Sequence, residues 1–566
     1  MRKCVLFLIL FFAGNLFAQN ISNYYRLPID GEFSLSANYG ELRATHFHAG
    51  IDIRVGGVVG KPIFAVAEGY VSRISVSPSG YGKAVYITHP NGTTSVYAHL
   101  HTFSPTIKTY IENIQYARQR FAVNETVQAG LLSVKKGEQI GTAGNSGSSG
   151  GPHLHFEIRE TRQQIPIDVF ARDFYKIPTD NIPPTVRNVS FFSYREIDSI
   201  PCISLFKQQL KPTQTTQQII DVPDTFFVGI DVIDTQNGTP AKLAITKLSV
   251  MLDEEIIFAC VFDSIAFHLS KYINSAIAYD ERVRNNHVLL KTYIEPANQL
   301  TIYREIKNNG LITLSDTLPH QLKIKATDDT GNTTVRTFTV QKKNNFATAN
   351  NFCDTTFGVA AYWNQENNIE RNGLQITIPS DALYRSTFLV IDSLDKRSEN
   401  AYSALWRVHT NETPLHRAIN LQIAASLPEE LKSKALLAGI NSKGKIYSAG
   451  GRWQNNLLEA NVQNFGDYFV TIDTTAPIIK PQFVNGANLS KHTQLKIKIT
   501  DDLSGIATFN AYIDDKWALF EYDAKNNLLL YTFDSTRIAR NQKHKLLLTI
   551  TDNKQNTNSV ELNFTW

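Results

Sequence analysis

The sequence predicts a mainly β chain of several domains: an N-terminal antiparallel β-sheet domain carrying one inserted helix, followed by about three β-sandwich domains. Three observations predict it. The chain has 566 residues, several times the ~100–200 of an ordinary domain. From Tyr25 to about Phe174, short alternating segments are punctuated by glycine, as in strands joined by tight turns. Further on, strand-like segments that end on aspartate recur in two distant copies.

At the N-terminus, Met1-Arg2-Lys3-Cys4 precedes an apolar run from Val5 to Phe12, a polar break near Asn15, and Leu16-Phe17-Ala18-Gln19. This is the build of a secretory signal peptide over residues 1–18, cut after Ala18. Its apolar run is shorter than the ~20 residues a spanning helix needs, and no other stretch qualifies. The mature chain is therefore expected to be exported without a transmembrane segment, to the periplasm, the cell envelope or the exterior. Cys4 lies before the apolar run, which argues against a lipid anchor. The formal charge of +4 falls to +2 when Arg2 and Lys3 leave, with no basic run, so nothing asks for nucleic acid. Cys202, Cys260 and Cys353 are odd in number and far apart, which excludes a dense disulfide framework and allows one bridge, its pair unspecified.

Residues 25–175 form the first domain. Phe64-Ala-Val-Ala-Glu-Gly-Tyr-Val-Ser-Arg-Ile and Lys83-Ala-Val-Tyr-Ile-Thr-His read as strands. Asn91-Gly92 joins the latter to Thr93-Thr-Ser-Val-Tyr-Ala-His-Leu100 as a hairpin, because both residues tolerate positive φ. One segment breaks the pattern: Ser104-Pro105 opens a helix over about 105–120, with Ile107, Tyr110, Ile111, Ile114 and Ala117 on one apolar face. It either packs over the sheet beside the site or covers a sheet edge.

Thr179-Asp-Asn-Ile-Pro-Pro184 is a turn-rich linker to a new domain at 180–345. Asp180-Asn-Ile-Pro-Pro returns in outline as Asp473-Thr-Thr-Ala-Pro. Ile230-Asp-Val-Ile-Asp-Thr-Gln-Asn-Gly parallels Ile497-Lys-Ile-Thr-Asp-Asp-Leu-Ser-Gly, and Leu322-Lys-Ile-Lys-Ala-Thr-Asp-Asp resembles Leu546-Leu-Leu-Thr-Ile-Thr-Asp-Asn. Two immunoglobulin-like sandwiches, at 180–345 and 473–566, are the natural reading. The first carries an irregular insertion from Ser270 to Glu305 with helical turns and no legible role. Residues 350–470 form a β-rich domain of uncertain type, with strands at Leu374-Gln-Ile-Thr-Ile, Thr387-Phe-Leu-Val-Ile and Gly466-Asp-Tyr-Phe-Val-Thr-Ile. The final Val560 to Trp566 reads as the closing strand of the last sandwich.

Seven of the fourteen histidines fall within the first 155 residues. Strand alternation puts His153, His155 and Glu157 on one side, and Tyr97 with His99 likewise. His48 and Asp52 are four apart across Ala49-Gly50-Ile51, where Gly50 permits a bulge or close backbone approach that turns both inward. Imidazole plus carboxylate ligation suits zinc.

Thr45-His-Phe-His-Ala-Gly-Ile-Asp52, Lys61-Pro-Ile-Phe-Ala-Val-Ala-Glu-Gly-Tyr-Val71, Tyr97-Ala-His-Leu100 and Gly137 through Gly151-Pro-His-Leu-His-Phe-Glu157 follow one another in a familiar order. In these motifs the region 30–170 resembles the M23 peptidases, the lysostaphin-like or LytM-type zinc endopeptidases that cut peptidoglycan peptides. The resemblance implies that His48, Asp52 and His155 bind one zinc ion and that His99 and His153 flank its water, with base and oxyanion roles unassigned between them. By analogy it also implies a peptidoglycan peptide as substrate, with the D-alanyl to diaminopimelyl cross-link of a Gram-negative envelope foremost and a pentaglycine bridge or a protein as alternatives. The segment between Leu100 and Lys135 departs from the family pattern by carrying the extra helix, and this puts the groove shape in question.

The neighbouring residues read as support. His46 is a bystander, Glu157 serves the fold or backs a ligand, and His89 and His101 are surface or packing residues. Gly141-Thr-Ala-Gly-Asn-Ser-Gly-Ser-Ser-Gly-Gly151 lacks the Gly-Lys-Ser/Thr ending of a phosphate loop and reads as a turn at the cleft rim. The alternative function is a non-catalytic LytM-like envelope protein that regulates a partner cell-wall hydrolase. Such proteins have usually lost ligand or catalytic histidines, and none is lost here. The sandwiches are spacers, or docking modules for envelope protein partners.

Overall fold

The computed structural model describes residues 24–170, 174–175, 180–210, 219–346, 358–394 and 400–566. The expected signal peptide and Cys353 lie outside them. The fold is mainly β, as expected: an antiparallel N-terminal domain with one inserted helix, then three further units that each carry two main sheets. Among the described residues, no helix is long and apolar enough to cross a membrane.

The strands of the first domain are β1 (Leu35–Ala37), β2 (Ile51–Arg54), β3 (Pro62–Phe64), β4 (Gly69–Val76), β5 (Lys83–Thr88) and β6 (Thr93–Ala98). After β7 (Thr102–Phe103) come helix α1 (Pro105–Arg118), β8 (Val123–Thr126), β9 (Ser133–Val134), β10 (Gln139–Thr142), β11 (His153–Glu160) and β12 (Pro166–Ile167). The large sheet runs β1-β2-β11-β6-β5-β4-β8, with β12 on β11 and β9 on β4, and a small sheet runs β3-β10-β7. The single strand expected from Phe64 to Ile74 is two strands, because the chain turns away between Phe64 and Gly69.

Register decides which face becomes the site. Asp52 lies opposite His155, and His155 opposite Ala98, while Ile51 and Tyr97 both lie opposite Phe156. Residues directly opposite one another share a face. Ile51, Ile53, Tyr97, Leu154, Phe156 and Ile158 therefore form a fully buried core face, which frees the other face of β2 and β11 for Asp52, His155 and Glu157.

Helix α1 opens with Ser104 at its N-cap and Pro105 in its first turn, and ends where Gln119 turns left-handed at φ 47°. It buries Ile107 and Ile111 against the domain core, with Tyr110 and Ile114 packed beside them. Ala117, expected on that face, is exposed. Gln115 is buried in its stead, because its amide donates to the Phe121 carbonyl at 2.6 Å. The solvent side of the helix meets the last unit: Tyr116 packs edge-on against Trp517 at 5.2 Å, and Arg537 lies over the Tyr116 ring. The helix thus packs on the first domain with its inner face and receives the last unit on its outer face.

In the second unit, a five-stranded sheet built on Thr185–Ile197, Ile200–Leu210 and Thr225–Ile233 shares one core with a six-stranded sheet built on Lys247–Leu252, Glu255–Val261, Pro319–Thr327 and Thr333–Lys342. The insertion does contain helical turns, at Phe267–Tyr272, Ile273–Ala276 and Tyr279–Asn285. The third unit pairs two five-stranded sheets around Leu421, Leu437 and Val470. The fourth pairs a four- and a five-stranded sheet, and Thr557–Thr565 lies beside Lys543–Asp552 in the latter. Cys202 is disulfide-bonded, while Cys260 is a free thiol that burial pushes up to about 12.

Candidate active site

His48 sits just before β2, and Gly50 lets the chain pass close over β11: a Cβ at Gly50 would fall 2.2 Å from the Phe156 carbonyl oxygen. That approach brings His48 beside the Asp52 and His155 face. His48 Nε2 lies 3.0 Å from Asp52 Oδ1 and 3.0 Å from His155 Nδ1, and His155 Nδ1 is 2.9 Å from Asp52 Oδ1. Three donor atoms of three buried residues thus face one point, in a group that could hold a metal ion. The spacing is that of ligands gathered at ~2.0–2.2 Å around one four-coordinate ion, and the two-imidazole, one-carboxylate donor set is that of a zinc site.

The second nitrogen of each ring fixes which one is free. His48 Nδ1 lies 2.7 Å from the Asn38 carbonyl, which can only accept, so Nδ1 carries the proton and Nε2 presents its lone pair. His155 Nε2 donates to Glu157 Oε1 at 2.7 Å and presents Nδ1. Glu157 is fully buried and is held in turn by Arg159 at 2.6 Å and by the Tyr81 hydroxyl. A carboxylate that backs an imidazole in this way fixes its orientation and raises its basicity. Arg43 donates to Asp52 Oδ2 at 2.9 Å, leaving Oδ1 to the cluster.

His153 and His99 complete the cleft. His153 follows from strand alternation; its Nε2 is 3.4 Å from Asp52 Oδ1 and its Nδ1 donates to the Gly151 carbonyl at 2.8 Å. His99 arrives differently. Tyr97 points into the core, with its hydroxyl accepting from the Val66 amide, so the expectation that Tyr97 and His99 share a face is wrong. Just past β6, His99 takes φ 59°, which breaks the alternation and swings its ring into the cleft, 4.9 Å from that of His153. His99 Nδ1 donates to the Ser146 carbonyl at 2.9 Å. Both imidazoles are thus held by carbonyls of the glycine-rich rim. That rim is braced from outside: Lys525 of the fourth unit donates to the carbonyls of Asn145 and Ser149.

The electrostatics follow from burial and neighbours. Burial pushes the His155 imidazole down, but its hydrogen bonds to Asp52 and Glu157 outweigh this and leave it at about 9. Burial would raise Glu157, yet Arg159 and His155 bring it down to about 2. Asp52 is likewise held well below the usual carboxylate range by His48, His153 and His155 against the effect of burial. His99 is lowered to about 3 by burial and by the charges of His155 and His153.

His46 is exposed, its ring lies 3.2 Å from Thr45 Oγ1, and it stands outside the three-atom cluster. His89 is buried and bonded to the Glu68 carbonyl and Ser95, and His101 is exposed. Residue spacing could not have found Arg43, Tyr81 or the Asn38 carbonyl, which come from loops and carry no motif. A cavity of about 470 Å³ reaches the cluster at His48 and His155, with His46 and Tyr81 on the same side. On the other stand Phe267 just before the insertion, Ser270, Lys271, Asn274 and Tyr279 within it, and Leu415, Gln463 and Asn464 of the third unit.

Comparison with known proteins adds the family context. Residues 46–168 match Peptidase family M23, and residues 359–473 match the Zu5-like domain. The DD-carboxypeptidase/endopeptidase Mpg of Neisseria meningitidis serogroup B is 35% identical over 129 residues, covering 23% of this chain and 24% of Mpg. The peptidoglycan DD-endopeptidase ShyC of Vibrio cholerae is 30% identical over 158 residues, 26% of this chain and 30% of ShyC. The lipoprotein NlpD of Yersinia enterocolitica is 32% identical over 105 residues, 19% of this chain and 84% of NlpD. The chain thus spans about a quarter of the length of the first of these relatives.

Proposed function

The chain belongs to peptidase family M23 through residues 46–168, and from that premise we propose that it is an exported zinc-dependent endopeptidase hydrolysing peptide cross-links of peptidoglycan. The observation that carries the reading is the convergence of His48 Nε2, Asp52 Oδ1 and His155 Nδ1 in one cleft with His99 and His153. His48, Asp52 and His155 would hold one zinc ion, and zinc bound there supplies a Lewis acid that polarises the scissile carbonyl and brings the pKa of its water to about 7.

The chain's own residues do the rest. Rim carbonyls hold the Nδ1 protons of His99 and His153, so each Nε2 is free to accept or return a proton in the cleft. One of the two imidazoles takes the proton from the attacking water at Nε2, and the Nε2–H it thereby gains can donate to the developing oxyanion. Glu157 keeps the His155 Nε2–H in place, so that Nδ1 always faces the ligand cluster. The sandwich units, with their walls on the cleft, orient an extended peptide and offer surfaces to envelope proteins.

The test is digestion of purified cross-linked muropeptides by the mature chain, with and without chelator and with zinc restored. Cleavage that is lost with chelator, recovered with zinc and reduced by at least ~10²-fold in His153→Ala and in His99→Ala is the expected result. An intact zinc-loaded chain that leaves the cross-links uncut would favour regulation of a partner hydrolase.

A further inference from the structure

The paired sequence segments that end on aspartate meet in space, twice. Asp180, Asp234 and Asp328 bring one carboxylate oxygen each to within 4.8 Å of one another, and so do Asp473, Asp501 and Asp552. These are the same three places in each copy of the repeat. Asp234, Asp328, Asp473 and Asp552 are all buried.

The supporting bonds repeat as well. Asn332 Nδ2 donates to the Asp180 carbonyl and to Asp328 Oδ2, and Asn556 Nδ2 donates to the Asp473 carbonyl and to Asp552 Oδ2. The Asn237 amide donates to Asp180 Oδ1, and the Ser504 amide to Asp473 Oδ2. Thr334 donates to the Pro184 carbonyl, and Asn558 to the Pro477 carbonyl. One architecture is therefore built in two domains whose sequences have otherwise drifted apart.

Bonds within each loop account for most of the oxygens and leave a remainder. Asp234, a member of the first trio, is only 3% exposed, and its Oδ1 has no hydrogen-bond partner. Asp501, at the same place in the second copy, is partly buried, and its enclosed Oδ1 is likewise without a partner. A buried polar atom without a partner is costly, and three carboxylates around one point more so. Burial and the charges of Asp328 and Asp180 push Asp234 up to about 8, and burial with Asp473 and Asp552 moves Asp501 the same way. All donors are oxygen, with neither imidazole nor thiolate, which suits a hard cation and not zinc.

We propose that each aspartate trio is a calcium site. Asp180 and Asp473 belong to the segments that lead into their units, and the other two aspartates lie at strand ends within the unit. The ion therefore ties each incoming linker to the sandwich it opens. The first site is also coupled to the cleft through the next residue. Asp329 accepts from Asn38 Nδ2 at 3.0 Å, and the Asn38 carbonyl orients His48.

The inference is independent of the peptidase reading, and calcium alone is the probe. Calorimetric titration of the zinc-loaded full chain with calcium is expected to show two ions per chain and a raised Tm. Asp234→Asn and Asp501→Asn, near-isosteric changes, should each lower the count to one, and together to none, with zinc content and far-UV circular dichroism unchanged. Wild-type chain that takes up no calcium at millimolar concentration overturns the proposal without reference to any variant. Variants that fold and keep both ions overturn it too, and a single ion overturns it for the trio whose variant leaves the count unchanged.

Discussion

Glu157 shows how much of the cleft depends on one side chain outside it. Its carboxylate is fully buried between the His155 Nε2–H and the Arg159 guanidinium, and it faces no substrate. Glu157→Gln keeps the size and removes the charge. Zinc retention, read by competition with a chromophoric chelator, is expected to fall ~10–100-fold while the β-rich circular dichroism persists. At this scale the sequence was unusually legible. Spacing alone put His153 with His155 by strand alternation and His48 with Asp52 across one glycine, whereas joining the two pairs into one site rested on the family resemblance, because the pairing of their strands is not written in either segment. His99 could not be placed that way: its turn into the cleft depends on a positive φ, which no residue type at that position announces. Arg43 and Tyr81 were invisible for a related reason, since loop residues acquire their partners from tertiary structure.

Among the elements, the insertion changes meaning most. In sequence it was an irregular stretch without a role, yet its helical turns supply one wall of the cleft. Its base is fixed to the third unit by a buried ion group: Lys291 pairs with Glu295 at 2.7 Å, and Arg385 donates to the same carboxylate. Burial alone would raise the Glu295 carboxyl, but Lys291 and Arg385 lower it below the usual range. A folded-state pKa below the unfolded one means stabilisation that is complete above the ordinary ~4.3 and is lost as pH falls through the lower folded value. Glu295→Gln, which leaves the buried Lys291 and the partly exposed Arg385 short of a counter-charge, should cost about 3–5 kcal/mol at neutral pH. The gap to wild type should narrow in acid, a comparison that urea unfolding at both pH values makes directly. Helix α1 was legible as a helix from Pro105 and its apolar spacing. Its task of receiving Trp517 and Arg537 was not, because their sequence distance hides the contact.

For the whole molecule, the cleft belongs to three units at once, so its width is set by how they pack. Lys271→Trp adds bulk to the far wall without touching a ligand. It should lower kcat/KM on cross-linked peptides by roughly 10–100-fold with zinc content unchanged, as steady-state kinetics and metal analysis on the same preparation would show. The mainly β, several-unit layout was readable from glycine punctuation and the aspartate repeat. The packing of the units around the first domain was not, since surface residues such as Lys83 and Glu521, which pair at 2.7 Å, look like any solvated charges. The contact of Lys525 with the rim that aims His99 and His153 also sets an order in time. A chain is made from its N-terminus onward, so His99 and His153 emerge hundreds of positions before the lysine that steadies their loop. On the peptidase reading, the loop that holds both imidazoles gains its outer brace only after the fourth unit has been made and has docked.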